Sequence, residues 1–211
     1  ILVCFDPRPN DKGVWYQTLW DYKQMHGAKI IQRVGDLGTH SKPELFELVK
    51  QTLPHSDAVI FPSLWAKKYS GHTGSNYQVI PNRPSPVFYN HSRGFSNNAG
   101  ELPRVVTHHW SNNPLKGFDV YKLIDERYAG LIDFTYIGRV PEGFEFKNST
   151  YIPPVDDQEL SIRLPQYDFY LTASRLEAGA NHVLEALACK LPVVYHKDGG
   201  SIPEYVGQHG I

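Results

Sequence analysis

The chain has 211 residues, 41% hydrophobic, 20% charged and 13% aromatic, which supplies enough apolar side chains for a core and excludes a disordered tract. Its formal net charge of −1 leaves no broad basic field, so no nucleic-acid partner is expected. Cys4 and Cys189 stand far apart without metal-ligand spacing, no apolar run reaches the roughly 18 residues of a membrane span, and a reducing cytoplasm fits best.

Short runs of branched apolar residues alternate with amphipathic segments, the pattern of strand-helix-strand units in buried parallel sheets, so the class is α/β. Ile1 to Phe5 reads as a strand, Val14 to Met25 as a helix, and Ile30 to Val34 as a second strand. Trp15, Tyr16, Trp20 and Tyr22 mark either a partner surface or, more economically, a helix packed on a sheet. Leu45, Leu48, Val49 and Leu53 recur at three and four positions, which predicts a helix over Glu44 to Leu53 with Pro43 in its first turn. The strand Ala58 to Phe61, a short helix Leu64 to Tyr69 and the strand Tyr77 to Ile80 follow.

From Asn82 to Leu102 the composition turns to Pro, Ser, Asn and Gly, as in an interdomain connection. The expected division is a first domain at 1–92, a linker at 93–103 and a second domain at 104–211. The second domain is read as strand Arg104 to Thr107, helix Lys116 to Arg127 and strand Ile132 to Ile137. Then come strand Ser149 to Ile152, helix Asp157 to Leu164, strand Asp168 to Thr172, helix Asn181 to Cys189, strand Pro192 to Tyr195 and helix Ile202 to Val206. The chain opens inside a strand-like run and stops after a Gly-rich turn, so both ends are read as cut.

The segment from Ser174 to Val194 is the most informative. It reads as a strand end, a Gly-containing loop and a helix start, the place where a doubly wound sheet binds phosphate on free backbone N–H groups. With Asn181 as cap, Glu185 lies about 6 Å along the helix axis, while Glu177 stays in the preceding loop, so two acceptor-only carboxylates straddle one ligand rich in hydroxyl donors. Upstream, Asn113 to Asp119 contains Lys116-Gly117-Phe118-Asp119, and a lysine there suits a diphosphate.

Glu177 and Glu185, seven residues apart, stand in register with Leu184, Ala186, Ala188, Cys189, Pro192, Val193 and Val194. This resembles the Glu-seven-Glu stretch of the family four retaining glycosyltransferases, proteins of the two-domain GT-B fold. Gly199, Gly200 and Glu204 match a later "G-G-x-x-E" with one extra residue, and Lys116-Gly117-Phe118-Asp119 resembles the family's "K-G-x-D". Tyr136-Ile137-Gly138-Arg139 is similar to the second donor-domain strand, and Tyr151-Ile152-Pro153-Pro154 to the segment that passes the nucleotide base. The first half matches more loosely: Gly35-Asp36 stands where many relatives carry His-Asp, and Trp110 stands where many carry an arginine six residues before the lysine.

The resemblance implies two Rossmann-like domains, truncated at both ends, the second lacking its last helices. It further implies transfer of a sugar from a nucleotide diphosphate sugar to an acceptor hydroxyl with retention, in cell-surface glycan synthesis, without a protein nucleophile. Glu177 would orient the donor sugar and Glu185 hold the ribose. Lys116 and the N–H groups near Gly179, Ala180, Asn181 and His182 would meet the phosphate, helped by Arg139 beside Gly138, with Ile152 near the base and Asp36 on the acceptor side. No metal or other cofactor is inferred, since ten histidines form no zinc-ligand spacing. The acceptor is expected to be a glycan or a lipid-linked one, reached at the inner face of a membrane. The alternatives are a non-catalytic sugar-nucleotide-binding or scaffold protein on a degenerate GT-B fold, and an epimerase or phosphorylase on the same fold.

Overall fold

The computed structural model describes residues 1–89 and 101–211. Residue contacts divide the chain into two units, Ile1–Asn82 with Leu176–Gly179, and Arg83–Arg175 with Ala180–Ile211. The linker expected at 93–103 lies mostly outside the described residues; in contact terms the division falls earlier, between Asn82 and Arg83. The reason is apolar. Pro86–Tyr89 forms a 3-10 turn, and its Phe88 is fully buried in a cluster with Leu160, Leu164 and Cys189 of the second unit.

The first unit is a four-stranded parallel sheet in the order β1 (Leu2–Cys4), β2 (Ile30–Arg33), β3 (Ala58–Phe61), β4 (Tyr77–Val79). Helices α1 (Tyr16–His26), α2 (Pro43–Thr52) and α3 (Leu64–Tyr69) connect them. Leu45 and Val49 of α2 are buried with Val59 and Phe61 of β3, as the spacing of three and four residues dictates. Pro43 fixes the first turn of α2, and Ser63 caps α3 by accepting a hydrogen bond from the Ala66 N–H at 2.9 Å. On α1, Tyr16 is buried and its hydroxyl lies 3.1 Å from Ser56 Oγ, so packing on the sheet accounts for it. Trp15 and Tyr22 remain exposed.

The second unit is a five-stranded parallel sheet in the order β7-β6-β5-β8-β9, where β5 is Arg104–His109, β6 Asp133–Gly138, β7 Thr150–Ile152, β8 Phe169–Thr172 and β9 Val193–Tyr195. Helices α4 (Phe118–Arg127), α5 (Asp157–Arg163), α6 (Asn181–Ala188) and α7 (Ile202–Val206) complete it. The strands step outward from β5 in one direction through β6 and β7, and in the other through β8 and β9. The sheet therefore reverses order between β5 and β8, and such a reversal opens a crevice at the carboxyl ends of the strands. Both sheets and their helices give the α/β, two-domain Rossmann-like architecture expected from the sequence.

Both cysteines are buried free thiols, pushed up to about 11 at Cys4 and about 12 at Cys189 chiefly by burial, and hence unreactive. Asp125 of α4 is also buried, but for a different purpose. Its carboxylate accepts hydrogen bonds from the backbone N–H groups of Lys147, Asn148 and Ser149 at 2.7–2.9 Å, which anchors the loop before β7. Burial alone would raise this carboxyl, yet the three N–H donors outweigh it and hold it below the ordinary carboxylate range. A depressed native value contributes stability that is present above the unfolded value and is lost as pH falls through the native one. D125A is accordingly expected to cost about 3 kcal/mol at pH 7, because buried donors lose their acceptor. That cost should begin to shrink as pH falls below about 4, near the unfolded value, and go as pH passes the lower native one. Urea unfolding at pH 7 and pH 3 checks this; an equal loss at both pH values would exclude the charge as the cause.

Candidate functional site in the second unit

The carboxyl ends of β5, β6 and β8 gather most of the residues expected to bind a donor. At the end of β5 the chain passes through Asn113, whose side chain accepts from the Leu115 N–H, into a 3-10 turn, Pro114–Lys116. The sequence predicted one helix from Lys116 to Arg127. Gly117 interrupts it instead, with a left-handed φ of 90°, and α4 starts at Phe118. Only glycine fits here: a Cβ on Gly117 would lie 2.4 Å from Ala173 Cβ and 2.5 Å from the Ala173 carbonyl oxygen, at the end of β8.

Two further contacts fasten the same turn to β8. The Arg175 N–H donates to the Leu115 carbonyl at 2.9 Å, and Arg175 Nη2 donates to Asp119 Oδ2 at 2.7 Å. The Lys116–Asp119 stretch and Arg175 after β8 are thus one assembly, and half-buried Lys116 is carried on it. The motif spacing gives Asp119 and Arg175 no role of their own; their ion pair is visible only in the structure.

At the end of β6, Gly138 faces the His109 carbonyl of β5, where a Cβ would sit 2.0 Å from that oxygen. The Arg139 N–H donates to the same oxygen at 3.1 Å, and its guanidinium lies 4.5 Å from the centre of the exposed Trp110 ring. Tyr151 and Tyr136 donate hydroxyl hydrogen bonds to the Gly138 and Arg139 carbonyls at 3.1 and 2.8 Å. Ile152 ends β7 on the same side and packs half-buried on the core.

Helix α6 begins at Asn181, so Asn181 is its first residue and not its cap. The cap is Ala180, which has no side-chain oxygen to offer, and no side chain caps this helix. Ala180 is held by its own N–H donating to Ser201 Oγ at 3.2 Å; Ser201 is one of the three residues between Gly200 and Glu204 in the "G-G-x-x-E" match. Gly199 closes a turn onto the His196 carbonyl, so at least one of the two glycines serves a turn. His182 was expected to contribute a backbone N–H; its imidazole is also buried, with Nε2 3.1 Å from Thr172 Oγ1. Glu185, one turn into α6, places Oε2 2.7 Å from Nε2 of buried His108.

Beneath this edge lies a buried polar network. The Tyr121 hydroxyl accepts from the Ala173 N–H at 3.1 Å and sits 2.7 Å from His109 Nε2. The Tyr170 hydroxyl bridges the N–H and carbonyl of His108, each at 3.3 Å. Burial raises the Tyr170 hydroxyl well above its ordinary range, so it stays a neutral donor.

The remaining expected residues belong to the first unit. Leu176 adopts a left-handed φ of 55°, an unfavourable conformation for leucine, and its carbonyl accepts from Thr39 Oγ1 at 2.9 Å. Ser63 Oγ donates to the Ala178 carbonyl at 2.8 Å, and a Cβ on Gly179 would meet Pro62 at 3.0 Å. Glu177 is thereby held buried in a strained loop. Asp36 accepts from Lys42 Nζ and from the Gly38 N–H, both at 2.8 Å. Burial would raise its carboxyl, but Lys42 and Gly38 hold it below the ordinary range, which makes it a loop anchor and a weak base.

Among the described residues there is no group of three or more His, Cys, Asp or Glu arranged to hold a metal, and no helix long and apolar enough to cross a membrane. No family model and no curated protein sequence matches the chain. Its fold is nonetheless similar to solved GT-B glycosyltransferases. WaaG, a glycosyltransferase involved in lipopolysaccharide biosynthesis, has a TM-score of 0.60 at 16% identity, over 97% of this chain and 70% of that one. Anabaena HepE in complex with UDP and glucose gives 0.62 at 16%, over 89% and 58%. Sucrose-phosphate synthase from Thermosynechococcus elongatus gives 0.66 at 16%, over 93% and 57%. The chain thus spans little more than half the length of the last two.

The close approach at Gly117 makes a direct prediction. G117A should destabilise the second unit by about 2–4 kcal/mol, through both the left-handed φ and the clash with β8. Thermal or urea unfolding measures it, and a loss below about 0.5 kcal/mol would show that the turn is not fastened as described. By its two parallel sheets and its likeness to these solved structures, the chain has a GT-B-type fold.

Proposed function

We propose that the chain carries the donor-binding machinery of a retaining glycosyltransferase, which moves a sugar from a nucleoside diphosphate sugar to an acceptor hydroxyl in cell-surface glycan synthesis. One observation carries the reading: Lys116, Arg139, the uncapped start of α6 and Glu185 all lie along the carboxyl edge of one parallel sheet, at or beside its reversal of strand order. That edge offers two cations, one of them stacked on Trp110, a helix start without a side-chain cap and a carboxylate.

The chemical demand is charge. As the diphosphate leaves, negative charge grows on its oxygens and positive charge on the anomeric carbon, so fixed donors aimed at the phosphate are the main resource. In this reading Lys116 and the N–H groups at the start of α6 meet that charge, with Arg139 in support. Glu185 accepts from the ribose and Glu177 orients the sugar. The leaving phosphate oxygen takes the proton of the incoming hydroxyl on the same face, which gives retention without a protein nucleophile. No metal or cofactor is assigned, and the acceptor is a glycan or lipid-linked hydroxyl presented on the cytoplasmic side of a membrane. The domain expected at 104–211 supplies the donor site, and Asp36 belongs to the acceptor side as an organiser of its loop.

A second reading is a sugar-nucleotide-binding or scaffold protein on a degenerate fold. Trp110 and Gly35, standing where many relatives carry arginine and histidine, favour it.

Calorimetric titration with UDP, GDP and ADP, followed by their sugars, separates the two. Saturable binding of one nucleotide is expected, weakened about 10- to 100-fold in E185A by loss of charge-assisted hydrogen bonds. K116A should bind donor while transfer falls about 100- to 1000-fold. Binding unchanged in E185A would remove Glu185 from the site. Donor binding without turnover, in the presence of acceptor lipids, would support the scaffold.

A further inference from the structure

His108 is the penultimate residue of β5, the central strand at the order reversal, and its side chain is 8% exposed. It is rigidly mounted. The Tyr170 hydroxyl bridges its backbone N–H and carbonyl, and the rings of Tyr170 and His182 meet its imidazole edge-on at 5.4 and 6.3 Å. From there Nε2 reaches Glu185 Oε2 at 2.7 Å. The Glu185 side chain is 20% exposed, so a ligand has access to the carboxylate but very little to the imidazole behind it.

The proton can be assigned. A carboxylate only accepts, so Nε2 carries the hydrogen of this contact. Nδ1 is buried and has no hydrogen-bond partner among the described residues, where the Glu185 contact is the one hydrogen bond of the ring. With Oε2 engaged by His108, the partly exposed Glu185 side chain loses rotational freedom and keeps Oε1 and the remaining lone pair of Oε2 as acceptors. That is a fixed pair of acceptors, matched to two adjacent hydroxyl donors.

We propose that His108 is a positioning residue that sets the Glu185 carboxylate for a vicinal diol, the ribose 2′- and 3′-hydroxyls of a nucleoside diphosphate. The inference rests on the donor-site reading above and adds to it the residue that orients the ribose acceptor. His108 acts through Glu185 and has no contact of its own to make with the sugar.

The test uses a ratio, because a merely structural role would weaken all ligands alike. The nucleoside diphosphate that the wild-type chain prefers, and its 2′,3′-dideoxy counterpart, are titrated calorimetrically into wild type, H108L, H108F and H108Q. Wild type should prefer the ribonucleotide by about tenfold or more. H108L and H108F, two donor-less side chains of different shape, should lose most of that preference while binding the dideoxy form as wild type does. H108Q, which keeps an N–H donor, should recover part of it. A preference retained in a folded donor-less variant would overturn the positioning role, as would an equal loss for both nucleotides. A wild type that binds both forms equally would overturn the diol as the ligand of Glu185. A folded wild type that binds no nucleoside diphosphate would overturn the donor reading, and this inference with it.

Discussion

The close approach of Gly117 to the end of β8 is the constraint on which the second unit's carboxyl edge depends. Strands β5 and β8 are neighbours, and the chain must leave β5, turn, and start α4 without covering the crevice that their order reversal opens. A side chain at position 117 would push the turn away from Ala173, and with it Lys116. The Arg175–Asp119 ion pair and the Arg175 N–H bond to Leu115 then fix the direction in which the turn leans. An exposed ion pair alone would contribute little. Here it closes a loop already held by backbone, so its work is to orient rather than to bind.

Rigidity of this edge comes from polar groups buried under it. Burying hydroxyls and imidazoles is unfavourable unless they find partners; here both tyrosine hydroxyls and the Nε2 atoms of His108 and His109 have them, which favours one arrangement. Tyr121 joins α4 to the backbone of residue 173 and to His109, while Tyr170 joins β8 to the backbone of His108. Both tyrosines are fully buried. The two central strands are therefore cross-linked by hydroxyls just below the groups that a ligand would meet, and such preorganisation is what electrostatic stabilisation of a leaving group requires.

The strand and helix pattern was largely legible in the sequence, because parallel strands buried on both faces read as apolar runs and the helices carry a clear stripe. Ala58–Phe61, Leu64–Tyr69 and Ile202–Val206 coincide with observed elements. What escaped were features set by tertiary contact. Phe88 lies in a polar, turn-rich stretch whose composition hides its burial against α5 and α6. Gly117 splits an apparently continuous helix because its φ is dictated by β8, 56 residues further on, and not by neighbours in sequence. Asn181, a favoured capping type, lies inside the helix because Ala180 is tied to Ser201 and fixes where α6 begins. At the candidate site the motif residues were visible, but their partners were not. Nothing in the spacing of His108 and Glu185, or of Asp119 and Arg175, announces a contact between strands and helices so far apart in the chain.

The departure at Trp110 has a physical resolution within the donor reading. Trp110 follows His109 of β5 and Arg139 follows Gly138 of β6, and those two strand residues are partners in register. Positions 110 and 139 thus project from adjacent strands about 4.8 Å apart. A guanidinium based on β6 can occupy space near that of one based on β5, provided that its longer reach is restrained. The Trp110 ring supplies the restraint by stacking under Arg139, while Tyr136 and Tyr151 clamp the backbone at its root. The stack and the two tyrosine hydrogen bonds thus fix where the Arg139 guanidinium lies, and the sequence around either position alone does not disclose that pairing.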